Sequence, residues 1–142
     1  MKLGLRSSGF LTGLLLLCAL LAQARAQQDT LWTRYIEGTG NGDDQVRAIT
    51  SDAQGDVYVA IQGTNPAGSE ITTAKYSSSG SPLWNRRFSG RGACTPAGIA
   101  LSQSGDVFVS GTDSLPGDDY DMVTVKYSGT GDSCWAEYFT AG

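Results

Sequence analysis

Histidine is absent from the 142 residues, which removes Ser–His–Asp and Cys–His nucleophile systems and His-ligated metal sites together. Cysteine is scarce, with three in all and only Cys94 and Cys134 beyond the first 26 residues, too few for a disulfide scaffold. Basic charge is scarce as well: 10 Lys and Arg stand against 14 Asp and Glu, for a formal charge of −4. Three of the ten bases and none of the acids lie in residues 1–26, so the remainder is more acidic still. Nucleic acid and anionic membrane both reward clustered Lys and Arg, and neither is an expected partner. No Asn-x-Ser/Thr acceptor occurs, and after residue 27 no stretch has a helical period.

What is present begins with an export leader. Lys2 and Arg6 supply a positive start, residues 10–22 an uncharged Leu-rich run, and Ala24-Arg25-Ala26 a small-x-small cleavage site with Gln27 as the new N-terminus. The run is shorter than the ~20 residues that cross a bilayer. Leu17 precedes Cys18 where a lipoprotein signal wants Gly or Ala. The expectation is a signal peptide over 1–26 and a secreted product, extracellular, periplasmic or on the cell surface.

The remainder repeats. Trp32, Trp84 and Trp135 are spaced 52 and 51 apart. Leu31-Trp32-Thr33-Arg34 returns as Leu83-Trp84-Asn85-Arg86, Gly55-Asp56-Val57-Tyr58-Val59 as Gly105-Asp106-Val107-Phe108-Val109, and Lys75-Tyr76-Ser77 as Lys126-Tyr127-Ser128. Each unit reads as four strands. Strand A is 48–51 or 98–101, B is 56–61 or 106–110, C is 71–76 or 121–127, and D is 82–88 or 134–139. The A–B turns, 52–55 and 102–105, open on Asp or Ser and close on Gly, as bulged hairpins require. The B–C connections, 62–70 and 111–120, read as variable loops. A further D-type strand, 30–36, precedes the first unit. Val57-Tyr58-Val59 and Val107-Phe108-Val109 are apolar on both faces, which places strand B in a sheet stacked between two others. Four-stranded meanders covered on both sides and repeated every fifty residues are propeller blades.

These residues resemble the SBBP (seven-bladed β-propeller) repeats. Ala48-Ile49, Asp52 to Val59, Lys75-Tyr76 and Gly80 to Trp84 carry the first copy. Ile99-Ala100, Gly105 to Val109, Lys126-Tyr127 and Gly131 to Trp135 carry the second, with Ser102 where the pattern has Asp. The resemblance implies an all-β fold, an incomplete β-propeller of two four-stranded antiparallel blades (about 46–88 and 97–139) plus one orphan N-terminal strand. It implies no catalytic residue and no cofactor. A closed ring of six or seven blades needs ~310–360 residues. Two blades leave outer faces bare, so either a longer parent or assembly of copies would close the circle.

Several groups are candidate sites. Cys94 and Cys134 fall at opposite ends of a blade, ~20 Å apart, against the ~4.4–6.8 Å of a bridged pair; folding back of the connection would be needed to join them. Asp113, Asp118, Asp119 and Asp121, with Asp43-Asp44, read as solvated acidic loops, calcium being the alternative. Arg86, Arg87 and Arg91 read as a solvated edge. The three Trp read as blade packing, a sugar platform being the alternative. The function expected is a non-catalytic secreted repeat module for binding or cell-surface interaction, with a protein or glycan ligand and self-association through exposed blade faces. Its rivals are a fragment of a quinoprotein-like propeller enzyme and an oligomeric two-blade lectin.

Overall fold

The computed structural model describes residues 30–36, 40, 42–66, 68–115, 117 and 120–140. The leader, with Ala24, Ala26 and Gln27, lies outside them. Among the described residues, eight strands form two antiparallel meanders. Sheet I holds β1 (Gln45–Ser51), β2 (Val57–Asn65), β3 (Gly68–Tyr76) and β4 (Pro82–Phe88) in that order. Sheet II holds β5 (Ala93–Leu101), β6 (Val107–Ser114), β7 (Tyr120–Tyr127) and β8 (Ser133–Phe139). Among the described residues there is no helix.

The two sheets share their irregularities as well as their order. In each, the first strand bulges at the same place, between Val46 and Ala48 in β1 and between Pro96 and Gly98 in β5. The β1–β2 turn is closed by Gly55 N donating to Asp52 O, and the β5–β6 turn by Gly105 N donating to Ser102 O. The side chain that opens each turn satisfies a further orphan donor: Asp52 Oδ1 accepts from Asp56 N at 2.9 Å, and Ser102 Oγ from Asp106 N at 3.0 Å. Across the sheet, Lys75 pairs with Asp56 at 3.0 Å and Lys126 with Asp106 at 2.8 Å.

Alternation decides what each face does. On sheet I, Tyr58, Ala60, Ile71, Trp84 and Phe88 share one face, which packs on Val107, Val109, Val123, Val125 and Tyr127 of sheet II. Trp84 wedges between Tyr58 and Tyr127, with ring centroids 6.2 Å from each. Phe88 meets Tyr138 at 6.5 Å. The opposite face of sheet I carries Val57, Val59, Ile61, Ala74 and Tyr76, and is covered by Trp32 and Ile36.

Two expectations are corrected. Residues 30–36 form no strand. Trp32 and Ile36 instead pack on the face of sheet I that carries Val59 and Tyr76. The B–C loops are largely strand: Gln62↔Ile71, Gly63↔Glu70, Thr64↔Ser69 and Asn65↔Gly68 continue the β2–β3 ladder, and β6 and β7 pair out to Ser114↔Tyr120. The polar and glycine-rich sequence there looks loop-like, but register set by the apolar stretch carries the hydrogen bonding onward.

Candidate functional site

The acidic residues go first into structure. Asp113 is buried, not solvated as the sequence suggested. Its carboxylate accepts from Arg91 N at 2.6 Å and Gly92 N at 2.8 Å, and the Cys94 thiol donates to it at 3.6 Å. It therefore clamps the connection that carries the chain from β4 into β5, and its three donors offset the cost of its burial. Arg91 closes the clamp from outside: its guanidinium lies 3.9 Å from the Tyr138 ring centroid and 3.2 Å from Asp121 Oδ2. Asp44 accepts from Thr64 N at 3.0 Å and the Asp43 carbonyl from the Thr64 hydroxyl at 3.2 Å. Asp118 and Asp119 lie outside the described residues. Among the described residues no group of three or more His, Cys, Asp or Glu side chains converges as a metal site would.

Glu70 is the buried acid of sheet I. Asn65 Nδ2 and Ser89 Oγ donate to its Oε2 at 3.2 and 3.3 Å, and Arg87 Nε lies 3.5 Å from Oε1. Arg87 is thus a structural partner of a buried carboxylate, not a free basic edge. Arg86 Nη1 donates to the Asn85 carbonyl at 2.7 Å.

Cys94 is buried and Cys134 exposed, and neither is bridged. Burial pushes the Cys94 thiol up to about 11, with the Gly90 N–H opposing and the Asp113 charge adding to the rise. A thiol so protonated is a poor nucleophile. At the turns, burial pushes the Asp52 carboxyl up, but the Asp56 N–H, the Tyr58 hydroxyl, the Gln54 N–H and Lys75 together hold it below the usual value. Asp106 is held down chiefly by its hydrogen bond to Lys126. A cleft of about 300 Å³ opens between the turns at 52–54 and 102–105, yet its carboxylate, Asp52, is already fully engaged.

The tryptophans behave in two ways. Trp84 Nε1 donates to the Gly129 carbonyl at 3.2 Å, and Trp32 Nε1 to the Ser78 carbonyl at 3.2 Å. Trp84 lies 6.2 Å from Tyr127 and Trp32 lies 6.0 Å from Tyr76. Beneath the rings are Gly131 (φ +86°) and Gly80 (φ +81°), where an added Cβ would fall 2.7 and 2.5 Å from the indole. Two sockets are therefore the same object built twice. Trp135, at the third equivalent position, has no such socket and is exposed.

Around Trp135 lies the feature with the clearest capacity to bind. The outer face of sheet II carries Phe108, Met122, Trp135 and Phe139, with Tyr120 at its end. Met122 is 56 % exposed and Phe139 62 %. Ser110 and Thr124 hydrogen-bond one another at 3.0 Å in the middle of this face, and Glu137 lies beside them. Sequence reasoning named Trp135 but not Met122, Tyr120 or Phe139. Strand alternation held the signal, because Met122 points opposite to Val123 and Val125. A second apolar hollow, about 210 Å³, lies on the far face of sheet I among Trp32, Ile36, Val46, Ile49, Val59 and Tyr76. A scan against protein-family models finds no match, and a search of curated proteins finds no significant similarity.

Proposed function

We propose that the chain is an exported, non-catalytic interaction module, two blades of the β-propeller kind resembling SBBP repeats, that binds a protein surface through the outer face of sheet II. The observation that carries this reading is the exposure of Met122, Trp135 and Phe139 on one face of sheet II, on either side of the polar row Ser110, Thr124 and Glu137. Exposed patches of this make-up, rimmed by polar groups, mark protein interaction sites, and Trp and Met are over-used in them. The buried acids and their basic partners support the same reading, since they are spent on holding loops and turns. The leader-like segment 1–26 supports delivery to the cell envelope or beyond it.

The reading is tested by photocrosslinking in the producing cell. A photoreactive side chain at Met122 or Phe139 should give protein adducts, and one at Gln54, in the β1–β2 turn, should give none. Equal yields at all three positions, adducts to glycan alone, or no adducts from the sheet II face would contradict it.

A further inference from the structure

The outer face of sheet II and the far face of sheet I each repeat one half of an interface that the molecule already contains. The packed interface sets Tyr58, Ile71, Trp84 and Phe88 of sheet I against Val107, Val109, Val125 and Tyr127 of sheet II. The outer face of sheet II repeats the first half position by position, with Phe108, Met122, Trp135 and Phe139. The far face of sheet I repeats the second half, with Val57, Val59, Ala74 and Tyr76. The chain therefore carries a second copy of each half, the sheet II copy exposed and the sheet I copy covered by Trp32 and Ile36. Unlike but mutually complementary patches on one molecule generate head-to-tail association.

We infer that the partner of the sheet II face is a second copy of this chain, docking through the far face of its own sheet I, and that residues 32–36 are a strap the incoming strand must displace. This rests on the interaction-module reading and names its partner. The strap follows from the duplicated socket. Trp32 occupies the hollow over Gly80, against Tyr76 and the Ser78 carbonyl. That hollow is what Trp84 occupies over Gly131, and what Trp135 of a neighbouring copy would require. Two indoles cannot share it. The segment is suited to leaving: among the described residues it has no ladder, and it is held by the Trp32 and Ile36 packing, the Trp32 hydrogen bond and one from Arg34 Nε to the Gly80 carbonyl. β4, which carries the equivalent Trp84, is tied along its length to β3.

The test is sedimentation velocity across a concentration series on the chain as exported, on Trp32→Ser, on Met122→Lys and on the double variant, with circular dichroism confirming the sheets. Vacating the hollow should tighten self-association about tenfold or more. Met122→Lys should abolish association in either background. Should Trp32→Ser fail to fold, Ile36→Ser loosens the same strap while leaving the indole in place. Monomers throughout, or association that Met122→Lys leaves unchanged, would overturn the inference. Crosslinks from Met122 to a different protein, without self-association, would overturn it and leave the interaction-module reading standing. No crosslinks and no self-association would overturn both.

Discussion

Sheets I and II are one design in two settings. They share strand order, bulge position, turn closure and the Lys–Asp pair beneath each turn, yet equivalent side chains meet different surroundings. Ile71 is 0 % exposed and Met122 56 %. On the other faces the relation reverses: Ile49 is 67 % exposed, while its counterpart Ile99 packs against the core. The comparison teaches that burial is assigned by the neighbouring layer, not by the strand. The exposed copy has gained polarity at one packed position, with Ser110 for Ala60, and reversed the charge at another, with Glu137 for Arg86, but it keeps the aromatic positions Phe108, Trp135 and Phe139. A face that retains its aromatics retains the means to be covered.

The largest expected difference lies in truncation of equivalent residues. Ile71→Ala should cost ~2–5 kcal/mol, the range for a buried aliphatic, whereas Met122→Ala should stay within ~0.5 kcal/mol in dilute monomer. Chemical denaturation of both variants measures this, and equal losses would break the comparison. Next come the two sockets. Gly131→Ala must strain a left-handed backbone and push Trp84 out of the core between the sheets, for a loss of ~2–4 kcal/mol. Gly80→Ala carries the same backbone strain but displaces only the strap, so its loss should be smaller by about 1 kcal/mol or more. Thermal unfolding of the pair sharpens the distinction between a built-in wedge and a removable one.

A smaller effect concerns acid. Asp52 and Asp106 both sit below the ordinary aspartate value in the folded chain. Their contribution is therefore present above about pH 4 and is lost as the pH falls through the folded values. Lys75 and Lys126 are raised: burial of Lys75 is outweighed by Tyr58 and Asp56, and Lys126 is raised first by Asp106. Their contribution holds below about pH 10.4 and fades as the pH rises through the folded values. Denaturation midpoints between pH 5 and 3 should fall less in Asp52→Asn and in Asp106→Asn than in the parent. Unchanged acid slopes would show that the turn carboxylates are idle. The slightest effect on stability attends the cysteines. Cys134 should alkylate readily in the native protein without destabilising it, whereas Cys94 should react only as the chain unfolds. Fast native alkylation of Cys94 would place it outside the core.

Much of the fold could be read locally. The β4 segment, Pro82–Phe88, has the bounds that alternation and the preceding Ser/Gly turn suggest, and the Asp52 and Ser102 turns form as their chemistry predicts. What stayed hidden depends on partners distant in sequence. The reach of β2 to Asn65 is supported by Glu70, whose burial depends on Arg87 and Ser89. Asp113 looks like a loop acid until Arg91 and Gly92 are brought to it. Residues 30–36 have the sequence of a D strand, but strand is a relation between two segments, and here Trp32 and Ile36 meet a face instead. The outer face of sheet II was only half legible, because alternation says which residues point together and not whether anything covers them.

The outer face of sheet II is an uncovered version of a face that sheet I keeps covered. Acrylamide quenching on variants retaining a single tryptophan tests it most directly, at concentrations below any self-association. The account predicts that Trp135 is quenched several-fold more readily than Trp84, and that it becomes protected as concentration rises. Equal protection of the two indoles in dilute monomer would contradict it.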